Sequence, residues 1–257
     1  MLPFFFIKYF DMEILNKHVT IRNFSDKKID DTLLQSILYS GSKASTTGNM
    51  QLYSIIVSKE QKQRDKLLPL HFNQPVAKNA PVLLTFVADF NRFSKWCKVN
   101  NAKPGYDNFL SFYTASIDAL LVAQNVCIAA ESAGLGICYL GTTTYNAEQI
   151  IDVLNLPELT FPVTTVAIGY PDETPELTDR IPMEGIIHSE KYTDYSSVEI
   201  EKLYADKQNL ESSKKFVQEN GLENLAQVFT DIRYKKSDNE FFSEKMLSTI
   251  KKQGFRF

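Results

Sequence analysis

His18-Val19-Thr20-Ile21-Arg22-Asn23-Phe24 is the stretch around which the rest of the chain is arranged. In extended chain, alternate residues share a face. His18, Thr20 and Arg22 therefore project from one side while Val19 and Ile21 project from the other. The result is a polar comb over an apolar base. At about 3.3 Å per residue it is roughly 13 Å long, the span of a mononucleotide from phosphate to ring rather than of a lone phosphate. A cation, a hydroxyl and a guanidinium are the donor types that hold phosphate oxygens and an electron-poor ring edge. The same pattern also describes an edge strand with a solvated polar face, and the stretch alone does not separate the two.

Outward from the comb, Glu13 to Lys17 predicts a short helix before it. Ile29, Leu33, Leu34, Ile37 and Leu38 after it follow a helical apolar stripe that ends near Gly41. Ser45-Thr46-Thr47-Gly48-Asn49 is a run of small donors and turn formers ahead of a strand over 52–57. Such a run offers hydroxyls and backbone N–H groups to a planar polar edge, or equally satisfies its own backbone. Gly41-Ser42-Lys43 lacks the leading glycine and strand of a P-loop. A helix is expected over 60–68, a loop over 71–75, and a strand covered on both faces over 81–88. Gln74, in that loop, carries both a donor and an acceptor.

A lysine-bearing loop leads to the second organising element, residues 108–133, apolar around nearly the whole helical circumference. A helix apolar all round must be buried. Asp118, Asn125 and Glu131 within it argue against a membrane span. At roughly 39 Å it is longer than one small domain wraps, and burial against a second subunit accounts for that length. Gly134 is a helix-ending residue and Gly136 opens a strand over 137–140, so Gly134-Leu135-Gly136 follows a helix and is no dinucleotide fingerprint. Tyr139-Leu140-Gly141-Thr142 leaves that strand for a helix over 147–154, and small residues at a strand exit let a backbone amide approach a ligand. A further strand is expected over 161–170. From Tyr192 onward the texture turns charged and weakly amphipathic, as in solvated helices.

The composition of the 257 residues narrows the function classes. Hydrophobic residues at 44% supply an ample core, and 28 basic against 31 acidic residues argue against nucleic acid or anionic membrane as the main partner. Cys97, Cys127 and Cys138 have no paired spacing and read as reduced packing residues of a cytoplasmic protein. His18, His71 and His188 are too dispersed for a zinc set, and no metal site is expected. Residues 1–11 are apolar but too short to span a bilayer, and read as an optional extension or a misplaced start.

Taken in order, the Ile-Arg-Asn-Phe after a His and a Thr, the Ser/Thr cluster, Gly169-Tyr170-Pro171 and Arg180-Ile181-Pro182 resemble the nitroreductase family. Within it, the nearest branch is the larger NADPH-dependent flavin reductases and oxygen-insensitive nitroreductases. The resemblance covers 13–193 and returns at Lys252-Gln253-Gly254-Phe255. It implies an α+β fold with a mixed β-sheet flanked by helices and long central helices at a homodimer interface. The chain would divide into the 1–11 extension, an FMN-binding core over 12–193, and a helical excursion over 194–257 that wraps the partner subunit and helps bind the pyridine nucleotide.

By the same resemblance, His18, Thr20 and Arg180 hold the FMN phosphate and Arg22 offsets charge on the reduced ring. Ser45, Thr46, Thr47 and Asn49 reach the pyrimidine edge, in some members from the other subunit. Gln74 meets the mixed edge of the ring, and Tyr139, Leu140 and Gly141 form the strand exit at the cofactor, with the Gly141 amide near N5. The implied activity is FMN-dependent NAD(P)H oxidoreduction, a ping-pong hydride transfer through the flavin to nitroaromatics, quinones or free flavin, without a catalytic side chain of the protein's own. Enone reduction, reductive dehalogenation, or FMN binding without turnover would use the same fold. A colourless domain binding another phosphorylated ligand is the remaining reading. Two residues depart from the pattern. Thr142 stands where close relatives have a second glycine, and Thr178 where they have a lysine. The arginine-rich loop associated with NADPH preference is not evident, which leaves NADPH against NADH open.

Overall fold

In the computed structural model, residues 13–257 are described, and the 1–11 extension lies outside them. The elements in chain order are α1 (Glu13–Asn16), α2 (Asp31–Gly41), β1 (Tyr53–Ser58), α3 (Gln61–Leu67), α4 (Pro75–Asn79), β2 (Val82–Asp89), α5 (Asn91–Val99), α6 (Phe109–Ser132), β3 (Gly136–Leu140), α7 (Ala147–Leu154), β4 (Thr160–Gly169), α8 (Ser197–Asn209), α9 (Glu211–Glu219), α10 (Leu225–Gln227) and α11 (Lys236–Lys252). A 3-10 turn, Leu68–His71, continues α3, and another, Gly141–Thr143, follows β3.

Two units emerge. One runs from the start of the described residues to Glu176 and takes in Glu244–Phe257, and the other is Leu177–Ser243. The last residues belong to the first unit because they are part of its core. Phe255 and Ile250 pack with Phe112 and Phe161, and Gln253 Nε2 donates to the carbonyls of Pro157 and Thr160 at 2.9 Å each. Gly254 makes the turn between them at φ +89°, a conformation in which other residues are strained.

The sheet has the order β1-β2-β4-β3. The mixed sheet expected from sequence is, among the described residues, antiparallel in all three ladders. The connection from β2 to β3, which carries α5 and α6, crosses over the position that β4 later fills, so chain order and sheet order differ. β2 is buried along its whole length, as its unbroken apolar run requires. α6 lies on one face: Ala119, Val122, Ala123 and Val126 share a cluster with Leu84 and Phe86 of β2 and with Leu34 and Ile37 of α2. On the opposite face, Ile21, Leu83, Leu140 and Ala167 form a second cluster with Val76 and Ile150.

Helix limits follow local chemistry. The Asp30 side chain caps α2 by accepting from the amides of Thr32 and Leu33, and Asn108 caps α6 by accepting from Ser111. At Gly41 an added Cβ would run into Val126 of α6, so the end of α2 closes on that helix through a glycine. Two helices were not expected. α4 starts at Pro75 inside the anticipated 71–75 loop, with proline at its first position where no amide is needed. α5 occupies the lysine-bearing loop and buries Cys97 and Ser94. α6 itself is half as buried as its composition demands: Phe109, Leu110, Tyr113, Ile117, Leu120 and Leu121 are exposed along one stripe.

Candidate functional site

The His18–Phe24 segment is extended but forms no regular strand. The Ile21 amide donates to the Ile137 carbonyl of β3 at 3.0 Å, and Ser25 donates to Tyr170 at 2.9 Å. Ile21 points inward, where an added Cβ on Gly136 would come within 2.6 Å of it. That contact presses the segment onto β3. The expected alternation holds: Val19 and Ile21 join the core, while His18 and Thr20 are half-buried and Arg22 is exposed.

Each tooth of the comb is braced differently. His18 Nδ1 lies 2.7 Å from Glu131 Oε1 on α6, which leaves Nε2 as the ring nitrogen that this carboxylate does not engage. The amide of Asn23 and its side-chain nitrogen donate to Glu173 at 3.0 and 2.6 Å, and the Arg22 amide donates to the same carboxylate. These bonds, led by the Arg22 amide, hold the Glu173 carboxyl below the usual carboxylate range. Glu173 therefore fixes the backbone, while the Arg22 guanidinium makes no hydrogen bond or ion pair among the described residues.

The Ser45–Asn49 run is a tight loop. Thr47–Asn49 forms a 3-10 turn with Gly48 and Asn49 left-handed at φ 54° and 55°. Its anchor is Asp118, 1% exposed inside α6, which accepts from the Thr47 amide at 2.9 Å, the Thr47 hydroxyl at 3.1 Å and the Leu52 amide at 3.2 Å. Ser45, Thr47 and Asn49 face solvent and Thr46 is half-buried. Within one chain this loop and the comb are held at separate points of α6. Asp118 and Glu131 lie about 20 Å apart along an axis that rises about 1.5 Å per residue.

At the other end of β3, Tyr139 is exposed and its hydroxyl donates to Gln124 Oε1 at 3.3 Å, while Leu140 is buried. Gly141 opens the 3-10 turn, and a Cβ added there would meet nothing within 4 Å. Thr142, next in the chain, does not fill that space. Its side chain turns inward, 6% exposed, with Oγ1 2.9 Å from Nδ1 of the fully buried His71. Thr143 Oγ1 donates to the Leu140 carbonyl at 2.8 Å and closes the turn. Gln74 follows His71 closely, its amide donating to the His71 carbonyl at 3.1 Å.

Arg180 lies in the second unit, exposed, with Nη1 donating to the carbonyls of Thr178 and Asp179 at 3.2 and 2.9 Å. Asp179 is in turn paired with Lys207 of α8 at 2.7 Å. In the same unit Tyr195 Oη meets His188 Nε2 at 3.0 Å.

Sequence reasoning missed four residues that hold this arrangement: Glu131, Asp118, His71 and Glu173. Asp118 and Glu131 left a legible signal, two carboxylates on a helix otherwise apolar all round, where a buried charge demands a partner. His71 and Glu173 left none. Cys97, Cys127 and Cys138 are all buried and unpaired, and burial pushes the Cys127 thiol up to about 12, so they pack rather than react.

The arrangement has counterparts. A family model described as the nitroreductase family matches residues 15–170. An NADPH-dependent oxidoreductase of Staphylococcus saprophyticus is 33% identical over 187 residues, 70% of this chain and 72% of the relative. The crystal structure of a Bacteroides fragilis NCTC 9343 protein, provisionally described as an oxidoreductase, superposes with a TM-score of 0.94 at 54% identity, covering 96% of this chain and all of the other. The NADPH:FMN oxidoreductase of Vibrio harveyi, solved with NAD+, gives a TM-score of 0.75 at 25% identity over 94% of this chain and 96% of its own. With the family model spanning most of the first unit, the chain belongs to the nitroreductase family and is an NAD(P)H-dependent oxidoreductase with the α+β fold of that family.

Proposed function

We propose that the protein is an FMN enzyme that passes electrons from NADPH, or NADH, to nitroaromatics, quinones or free flavin, working as a homodimer in the cytoplasm. One observation carries the cofactor assignment. A half-buried imidazole, a hydroxyl and an unpaired guanidinium share one face of a segment fixed to β3, and the turn leaving β3 is open above Gly141. That donor set suits a phosphate at one end and an electron-rich reduced ring at the other. The relatives named for NADPH dependence and for NADPH:FMN oxidoreduction support the same reading.

FMN, when bound, supplies hydride chemistry at N5, and the side chains do the rest. His18 and Thr20 donate to the phosphate, with Glu131 fixing the His18 ring so that Nε2 is left for the ligand. Arg22 places a permanent charge near the pyrimidine end. The Gly141 amide and Gln74 would meet the ring's polar edge, and the open space at Gly141 would leave room for it. The phosphate role of Arg180 stands on the family resemblance.

Two features of α6 support the dimer. Its exposed stripe of six large apolar side chains leaves an apolar face uncovered on one chain. The comb and the Ser45–Asn49 loop, anchored about 20 Å apart along that helix, would come to one flavin from different subunits. The test is anaerobic. The purified yellow protein should bleach with NADPH and regain its colour on adding a nitroaromatic or quinone. A colourless protein that takes up no FMN refutes the proposal, and a yellow one that NADPH and NADH both fail to bleach reduces it to flavin binding.

A further inference from the structure

Of the two histidines that the cofactor reading leaves unused, His71 and His188, His71 is the fully buried one, at 0% exposed. It ends the 3-10 turn Leu68–His71, and the chain then passes through Phe72 and Asn73, both left-handed at φ 54° and 53°. Such a path is costly for a side chain the size of phenylalanine and persists only where neighbours hold it. Two bonds from His71 do so in opposite directions. Its carbonyl accepts the Gln74 amide at 3.1 Å, and its Nδ1 meets Thr142 Oγ1 at 2.9 Å. A parallel tie, Asn146 Nδ2 to the Leu70 carbonyl at 2.8 Å, joins the same two segments one turn away.

Nε2 of His71 is buried and has no hydrogen-bond partner among the described residues. A buried bare lone pair costs less than a buried unmet N–H or a buried cation. The ring is therefore neutral, with Nδ1–H donating to Thr142, and burial holds its pKa down to about 4. The Thr142 hydroxyl is what this bond requires.

We propose that His71 is a positioning residue which, through Thr142 on one side and the Gln74 amide on the other, sets the spacing between the Gly141 turn and the Gln74 segment. This deepens the FMN reading and rests on it. The two segments offered to one flavin ring are locked to each other by a neutral imidazole, so that the donor set is fixed before the cofactor arrives. Preorganisation of this kind acts on turnover more than on ground-state binding.

Three variants separate the proposal from a merely structural role. Thr142→Val removes the hydroxyl alone. His71→Asn keeps a polar atom at the Nδ1 position and cannot titrate, whereas His71→Gln moves it to the Nε2 position. Hydrogen–deuterium exchange on the FMN-free protein reports on residues 71–76 and 139–146, and kcat and KM for NADPH are read on the FMN-loaded protein. Thr142→Val and His71→Gln should exchange about tenfold faster in both segments together and lose about tenfold in kcat, with KM within about twofold of the parent. His71→Asn should restore both. If His71→Gln does not fold, Thr142→Val carries the comparison. Faster exchange in only one segment, unchanged kcat in Thr142→Val, or His71→Asn as impaired as Thr142→Val overturns the proposal. A parent protein that takes up no FMN overturns the cofactor reading instead, and the exchange data then still decide whether the two segments are coupled.

Discussion

Replacing Asp118 with alanine tests whether α6 holds the Ser45–Asn49 loop. The carboxylate accepts three donors in the interior of the first unit, and they are not equivalent. The Leu52 amide belongs to a residue that is 0% exposed, so its N–H would be stranded, at a cost of about 1–3 kcal/mol. Thr47 is exposed, so its amide and hydroxyl would turn to water at about 1 kcal/mol net. The total is about 3 kcal/mol, or about 10 °C in Tm for a chain of this size. Asp118→Asn should lie between, because the amide still accepts from Thr47 while its NH2 faces the Leu52 N–H, at about 2 kcal/mol. Urea unfolding of the flavin-free protein at fixed concentration measures the first term, and the FMN dissociation constant measures what the loosened loop does to the cofactor. Stability of Asp118→Ala within about 0.5 kcal/mol of the parent would falsify the anchoring argument.

Three further outcomes are expected. His71 has an ordinary pKa of 6.5 when unfolded and about 4 when folded, so the unfolded chain takes up the proton first as pH falls. Its contribution is fully present above about pH 6.5 and is lost towards pH 4, by about 3 kcal/mol in all; His71→Asn should flatten the slope of unfolding free energy over that window, and an unchanged slope contradicts the buried neutral ring. Gly136→Ala forces a Cβ to within 2.6 Å of Ile21 and should cost about 1–3 kcal/mol while displacing the comb and weakening FMN binding; a variant with parent-like melting and affinity shows that the segment does not press on β3. Arg22→Ala should leave stability within about 0.5 kcal/mol, since its exposed guanidinium makes no hydrogen bond or ion pair among the described residues, yet weaken FMN binding at least about tenfold, and unchanged affinity in a titration removes Arg22 from the site.

Much of the architecture was legible because it is written in local periods. The α2 stripe and its Asp30 cap, the unbroken apolar run of β2, and the alternation that turns Val19 and Ile21 inward are each set by residues a few positions apart. α5 was missed because its apolar residues, Phe93, Trp96, Cys97 and Val99, are outnumbered by polar ones and no side chain caps its start. α4 was missed because five residues carry no period. The mixed sheet was an implication of the family resemblance, and the antiparallel ladders found here are a direction of pairing that strand periodicity does not encode.

The site divides the same way. The teeth of the comb were legible as donor types on one face. The residues that brace them were not, because His18–Glu131 spans 113 positions and His71–Thr142 spans 71, and no motif encodes contact across such separations. The Thr142 side chain faces His71 and leaves the space around Gly141 open, a direction that sequence alone does not encode. The excess apolar surface of α6 was legible as an anomaly, and the exposed stripe shows which face carries it.

Sedimentation velocity of the purified protein, followed at once in the protein band and in the flavin's visible band, tests the central claim most directly. The two signals should move together as one boundary at twice the chain mass of 29.3 kDa, with one FMN per chain. Visible absorbance that stays behind while the protein sediments as a single 29.3 kDa chain would contradict it.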